Sequence, residues 1–283
     1  MVNKITLDAK GKINLLLDVT AKRENGYHDI VTIMQSVKLS DRVTVEKTDD
    51  GLITLQTNFD DCVAPRDNIV YKALELMKNE FSLTCGFKAS IGKNIPIAGG
   101  MGGGSTDAAA AIKAVNIICG LSQSTESLMR IGLKLGADVP FCIYEKCALA
   151  RGIGEELCSA EGLRDVKIVI VNPKISVSTK QIYELVDKKC AFKTIDEQFA
   201  LKTLESKDFG SFEFALKNIM QSVTGEICPE INGIIDDLKE LGAIHSMMSG
   251  SGPTCFGIFK KDFDEEKIKN HFKNYFVAVT EPI

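Results

Sequence analysis

Residues 96–112 read Pro-Ile-Ala-Gly-Gly-Met-Gly-Gly-Gly-Ser-Thr-Asp-Ala-Ala-Ala-Ala-Ile, and glycine holds five of the six positions from Gly99 to Gly104. Backbone without side chains adopts positive φ easily and approaches a ligand closely. The alanines that follow are strong helix formers, and Ser105 or Thr106 is expected to cap the helix they propagate. A helix starting there turns unpaired N–H groups and a partial positive charge toward the loop, which suits a phosphate group. No lysine follows the glycines, so this is not a Walker A loop. From Gly100 the spacing is Gly-x-Gly-x-x-Ser, which lacks the third glycine of a dinucleotide fingerprint. A flexible linker would not be flanked by an apolar strand pattern on one side and alanines on the other.

With 283 residues, 45% of them hydrophobic, the chain can build one large or two medium cores. The net charge of −4 argues against general nucleic-acid binding, so an anionic ligand needs local lysines and backbone amides. Nine cysteines stand at 62, 85, 119, 142, 147, 158, 190, 228 and 255, with no C-x-x-C pair and only three histidines. That set argues against a zinc site and suits buried thiols in a reducing cytosol. No apolar run reaches the roughly 18 residues of a membrane span, and the first residues lack a secretory hydrophobic region. A soluble, cytoplasmic protein is the expectation.

The spacing predicts a buried strand over 13–19. Val43, Val45, Ile53 and Leu55 alternate around Asp49-Asp50-Gly51, a hairpin signal. Val70, Ala73, Leu74, Met77 and Phe81 recur at helical spacing, and Phe87, Ala89 and Ile91 alternate toward the glycine loop. Helices are expected from the loop to Gly120 and then through Leu128, Ile131 and Leu135 to Gly136. Val166 to Val171 reads as a strand, Ser178-Thr179-Lys180-Gln181 as a capping box, and Ile231 to Leu241 as an amphipathic helix. Strands over 246–248, 255–259 and 276–280 and a helix over 265–272 complete the pattern. Helices and strands are mixed without a regular βαβ repeat, so the class is α+β. Two domains are expected, 1–160 and 161–283.

Three further stretches combine glycine with reactive groups. In Lys10-Gly11-Lys12-Ile13-Asn14, Lys12 and Asn14 share one face of a strand. They suit an anionic transition state or a substrate hydroxyl, although a lysine on an edge in water is the ordinary reading by residue type. In Gly136-Ala137-Asp138-Val139-Pro140-Phe141 the carboxylate is hemmed in by small and apolar residues. It suits a general base, and equally a turn cap before Pro140. Met247-Met248-Ser249-Gly250-Ser251-Gly252-Pro253-Thr254 is either a plain hairpin turn or a second glycine turn that approaches phosphates or the first loop.

Taken in order, Lys12-Ile13-Asn14, Pro96 to Ala111 and Met248 to Thr254 resemble the three motifs of the GHMP kinases. Further stretches are similar to the members of that superfamily that act on a cytidine-diphosphate-linked methylerythritol in the non-mevalonate isoprenoid pathway. They are Arg23 to His28, Thr32 to Val37, Gly136 to Phe141, Ala148 to Glu155 and Ser178-Thr179, and the resemblance runs nearly end to end. It implies an N-terminal domain like the second domain of ribosomal protein S5 and a ferredoxin-like C-terminal domain. It also implies ATP-dependent phosphorylation of a substrate hydroxyl, with ATP and Mg2+ as cofactors.

Residue by residue, the resemblance implies Asp138 as catalytic base with Lys12 as its partner. Asn14, Tyr27, His28, Thr179 and Tyr183 are implied as substrate contacts. Pro96, Gly99, Gly100, Met101, Gly102, Gly103, Gly104, Ser105 and Thr106 are implied around the ATP phosphates. Asn68 and Lys93 fall near the adenine and ribose, and Ser105 toward Mg2+. The family usually shows Pro-Ala where Lys10-Gly11 stands, which puts a second lysine nearby; Asn14 two residues on favours Lys12. Met101 replaces the commoner leucine, an exchange of similar volume. A small-molecule substrate is expected, with no nucleic acid, no membrane, and a monomer or weak homodimer. A homoserine or mevalonate kinase is disfavoured by Gly26-Tyr27-His28, since those substrates carry no pyrimidine. A silent nucleotide-binding regulator is disfavoured by the joint presence of Lys12 and Asp138.

Overall fold

The computed structural model describes residues 2–58, 64–192 and 195–283; Cys62 lies outside them. The chain forms two compact units that are interleaved in sequence. One comprises the described residues of Met1–Gly11, Ser40–Ile97 and Gly102–Glu145, the other Lys12–Leu39, Ala98–Met101 and Lys146–Ile283. Two long strands, β1 (Lys4–Lys22) and β2 (His28–Thr48), each contribute residues to both units.

In the first unit, β3 (Ile53–Thr57) is followed by α1 (Ile69–Glu80) and β4 (Gly86–Gly92). The expected hairpin between β2 and β3 does not form. β3 runs parallel to β4 (Ile53↔Phe87), and β4 lies antiparallel to β2 (Val43↔Ile91). The turn itself exists: Gly51 has φ +73°, and Asp50 accepts bonds from the Thr48 hydroxyl and the Leu52 amide. A turn signal fixes local geometry but not the partner strand, and the alternating Phe87, Ala89 and Ile91 fit beside β2 equally well.

Three helices complete this unit: α2 (Gly103–Ile118), α3 (Thr125–Leu133) and α4 (Val139–Tyr144). Their core packs Val70, Leu74 and Met77 of α1 with Phe87 of β4 and Ala108, Ala109 and Ala111 of α2. The alanines carry no rotamer entropy to lose and let helices approach closely. α3 starts where the Ser124 hydroxyl accepts from the Ser127 amide.

The second unit holds β5 (Cys147–Arg151), paired antiparallel with β2, and β6 (Glu156–Ser159), paired with β5. It continues through β7 (Lys167–Asn172), α5 (Thr179–Lys189), α6 (Glu197–Ser206), α7 (Phe212–Ala215), α8 (Met220–Ile227) and α9 (Glu230–Glu240). The chain then forms β8 (His245–Met248), β9 (Cys255–Phe259), α10 (Glu265–His271) and β10 (Phe276–Thr280). Sheet order is β10-β7-β9-β8, all neighbours antiparallel. Renumbered by sequence, that order is 4-1-3-2, the ferredoxin-like arrangement. The β-branched run from Ile168 to Val171 is fully buried, as a central strand covered on its faces must be. The Ser178 hydroxyl accepts from the Gln181 amide and opens α5 as the capping pattern predicts. The eight described cysteines are all free thiols. Among the described residues no helix is long and apolar enough to cross a membrane.

Candidate active site

In the second unit, Lys12 is not an edge lysine in water: it is 4% exposed. Its ammonium donates to Asn14 Oδ1 at 2.8 Å and to the Gly100 carbonyl at 3.1 Å. The strand alternation that puts Lys12 and Asn14 on one face therefore also delivers both to the glycine loop. Asn14 is fixed in turn, since its amide donates to Thr32 Oγ1 at 2.9 Å and Thr32 donates to the Leu16 carbonyl at 2.6 Å. The Asn14 backbone N–H donates to Ser249 Oγ, and the Ser249 hydroxyl donates to the Gly100 carbonyl at 3.0 Å.

The turn at 249–254 is thus no plain hairpin; it is built against the first glycine loop. Gly100 has φ +78°, and a Cβ there would stand 2.2 Å from the Ser249 carbonyl oxygen. The Thr254 amide donates to the Gly99 carbonyl, and the Lys12 amide to the Met101 carbonyl. Two glycine turns and a strand lock one another, which only residues without Cβ allow at this spacing.

In the first unit, the helix after the loop starts earlier than expected. Gly102, with φ +70°, occupies the N-cap position of α2, and no side chain caps the helix, so neither Ser105 nor Thr106 does so. The physical reason is that glycine takes the left-handed conformation freely, so the helix begins inside the glycine run. Thr106 is buried and donates to the Lys10 carbonyl at 2.5 Å, tying α2 to β1. Ser105 stays half-buried and Gly104 exposed at the head of the helix. Asn68 caps α1 by accepting from the Val70 amide at 2.9 Å.

Lys93 lies close to the start of α2: a Cβ on Gly103 would stand 3.2 Å from its ammonium. That ammonium pairs with Asp107 at 2.8 Å and with Asp41. Asp41 also accepts from the Asn94 and Ile95 amides at 2.6 and 2.8 Å, which holds the stretch leading to Pro96. Burial pushes the Asp107 carboxyl up to about 7; the Lys93 ammonium pulls it down and the Asp41 carboxylate adds to the rise.

Asp138 is half-buried at the head of α4. Its side chain makes no cap bond to the helix, although Pro140 stands in the first turn.

The remaining candidates gather in the second unit. His28 is buried and its ring stacks on Tyr183, with centroids 4.6 Å apart and planes at 18°. Tyr27 is 58% exposed beside it in sequence. Thr179 shares a hydrogen bond of 2.9 Å with Ser251 of the second glycine turn. Sequence reasoning missed Asp41, Asp107, Asp187, Thr32 and Ser249. Asp107 carried a signal, being a lone acid in an alanine run, and Asp187 another, standing four residues after Tyr183 on one helix face.

The GHMP kinases N terminal domain matches residues 68–146, and the GHMP kinases C terminal domain matches 200–278. The chain is 41% identical over 282 residues to a protein of Lachnoclostridium phytofermentans named 4-diphosphocytidyl-2-C-methyl-D-erythritol kinase. That match covers 97% of this chain and 96% of the relative. The chain belongs to the GHMP kinases.

A Clostridioides difficile protein of the same name is 40% identical, over 97% of this chain and 94% of its own length. The crystal structure of 4-(cytidine 5'-diphospho)-2C-methyl-D-erythritol kinase is similar with a TM-score of 0.78 and 26% identity. It covers 98% of this chain and 99% of that one. A GHMP kinase is a phosphotransferase, and the two interlocked glycine turns around Gly100 are the backbone form that phosphate binding asks for.

Proposed function

We propose that this chain uses ATP to phosphorylate the 2-hydroxyl of 4-diphosphocytidyl-2-C-methyl-D-erythritol, giving the 2-phosphate and ADP, a step of the non-mevalonate isoprenoid pathway. The observation that carries the reading is the network joining Lys12, Asn14, Gly100 and Ser249. It fixes a cation and an amide against a loop fit for phosphates. The relatives named for the cytidyl substrate supply its identity, and the stacked His28 and Tyr183 supply a surface for a pyrimidine.

Asp138 takes the proton of the 2-hydroxyl as its oxygen attacks the γ-phosphorus; the bond from that phosphorus to the β–γ bridging oxygen breaks, and ADP leaves. Lys12 stabilises the negative charge on the attacking oxygen, and Asn14 orients the methylerythritol hydroxyls. The backbone from Gly99 to Thr106 binds the ATP phosphates, while Pro96, Asn68 and Lys93 line the nucleotide side. Tyr27, His28, Thr179 and Tyr183 hold the cytidine diphosphate. Most of the acceleration comes from alignment and charge neutralisation.

The donor set fits Mg2+ in the way phosphoryl-transfer sites use it, with one or two protein oxygens and the rest from phosphate and water. The half-buried Ser105 hydroxyl would hold it, and it would neutralise phosphate charge.

The deciding assay is ADP release with the cytidyl substrate beside homoserine and mevalonate; turnover of either alternative at a comparable kcat/KM defeats the proposal. Asp138→Asn is expected to fold and bind ATP but lose most turnover, and near wild-type activity would remove Asp138 from the base role. His28→Ala is expected to raise the cytidyl-substrate KM more than it lowers kcat.

A further inference from the structure

His28 is held from two directions by one helix. Tyr183 of α5 covers its face, and Asp187, one turn further along α5, meets its Nε2 at 2.6 Å. Phe192 approaches edge-on at 6.4 Å and 90°. The other Asp187 oxygen accepts from the Lys22 ammonium at 2.5 Å, so Lys22 of β1 fixes the carboxylate that fixes the ring. Burial opposes ionisation of Asp187, but the bonds from Lys22 and His28 outweigh it and hold its carboxyl below the usual range. An ionised carboxylate only accepts hydrogen bonds, so the Nε2 it meets carries a proton. In the neutral ring Nδ1 is then the acceptor.

We propose that Asp187 is a specificity-determining positioning residue: by holding the proton on His28 Nε2 it makes Nδ1 an acceptor for the 4-amino group of cytosine and a poor partner for the 4-carbonyl of uracil. This deepens the cytidine reading of His28 and rests on it. An amine donor meets an acceptor, whereas a carbonyl would face a lone pair and leave two acceptors opposed. Asp187 touches neither base nor phosphate in this scheme; it acts through the ring.

The first test needs no substrate. Nitrogen-15 NMR of the three histidines at pH 8, with His28 assigned by His28→Ala, is expected to show the Nε2–H tautomer in the wild type. Asp187→Ala is expected to give a mixture of both tautomers, and Asp187→Asn, which keeps an acceptor oxygen, to restore most of the wild-type signal. A wild-type His28 protonated on Nδ1 alone, or a tautomer unchanged in Asp187→Ala, overturns the proposal.

The second test is kinetic. Asp187→Ala is expected to raise the KM for the cytidyl substrate about tenfold, about 1.4 kcal/mol, with kcat and the KM for ATP unchanged. Its discrimination against the uridine-diphosphate-linked analogue should fall. Unchanged discrimination in that variant also overturns the proposal. If His28→Ala leaves the cytidyl KM untouched, the cytidine reading itself fails, and the NMR result separates that failure from a failure of the Asp187 clamp.

Discussion

Two lysines, Lys12 buried and Lys93 half-buried, make different use of the same charge. Lys93 is tied to two carboxylates, and one of them, Asp41, also gathers the amides of Asn94 and Ile95. That cluster holds its own segment of chain in place. Lys12 donates to the Asn14 amide oxygen and to the carbonyl of Gly100, so its bonds reach the turn that phosphates would meet. Burial and charge alone thus do not separate a reacting lysine from an anchoring one. On the proposed reading of Lys12, what separates the two is the group each one holds: Lys93 fixes structure that would exist without substrate, and Lys12 is aimed at the loop proposed to bind it.

The largest expected effect tests that distinction at Lys12. Lys12→Met keeps most of the side-chain volume and removes the ammonium. It should cut kcat by about 10³-fold, about 4 kcal/mol, with the urea midpoint close to the wild type. A midpoint shifted as far as that of the Asp41 variant, with activity of the folded fraction retained, would erase the distinction.

Asp41→Ala should do the reverse. It strands the Asn94 and Ile95 amides and leaves Lys93 with one carboxylate instead of two, inside a site where Asp41 itself is fully buried. A loss of about 3–5 kcal/mol is expected in urea unfolding, with the KM for the cytidyl substrate of the remaining folded enzyme near normal. A stability loss under about 1 kcal/mol would mean that the cluster is not an anchor.

Much of this is legible in the amino-acid sequence. The strands over 255–259 and 276–280 match β9 and β10, because period-two alternation and β-branched runs have one good solution in a covered sheet. The glycine loop and the shared face of Lys12 and Asn14 are readable from spacing, whereas the 249–254 turn reads equally as a plain hairpin, because its contact with Gly100 is made across 149 residues. The pairing of β3 was not, since β4 arrives 29 residues after β3 ends and long-range pairing leaves no local mark. α4, β5 and β6 escaped because they are short, of six, five and four residues, and α4 hides behind Pro140. The helix start at Gly103 escaped because hydroxyl residues are the usual caps and glycine capped this one instead. Asp41 and Asp107 stand 66 residues apart, and only folding brings them to one ammonium.

A smaller effect is expected at the loop. Gly100→Ala must put a Cβ into a left-handed residue and against the Ser249 carbonyl. Strain of about 1–3 kcal/mol should lower kcat/KM for ATP about 10- to 100-fold. Gly104→Ala is the control: it is exposed in the first turn of α2, and an added Cβ comes no closer than 3.6 Å to Ile69. Equal losses in both variants would show that the first turn of the helix, not the interlock with Ser249, limits the loop.

The smallest effect belongs to Asp107 and sharpens the comparison through pH. Its carboxyl is raised from 3.8 to about 7, chiefly by burial, so the folded state holds a proton that the unfolded chain releases. Over that window the folded state binds more protons, so this contribution to stability is fully present below about 3.8, drains away as pH rises, and is gone above about 7. Asp107→Asn mimics the protonated form: its amide oxygen still accepts from Lys93 and its amide N–H can donate to Asp41. The variant should therefore lose the downward slope of unfolding free energy between pH 5 and pH 8 and match or exceed the wild type at pH 8. Parallel wild-type and variant curves across that range would show that Asp107 stays ionised throughout, with Lys93 shared evenly between the two carboxylates. The anchoring lysine would then be set by full ion pairing, and a proton shared with Asp41 would play no part in it.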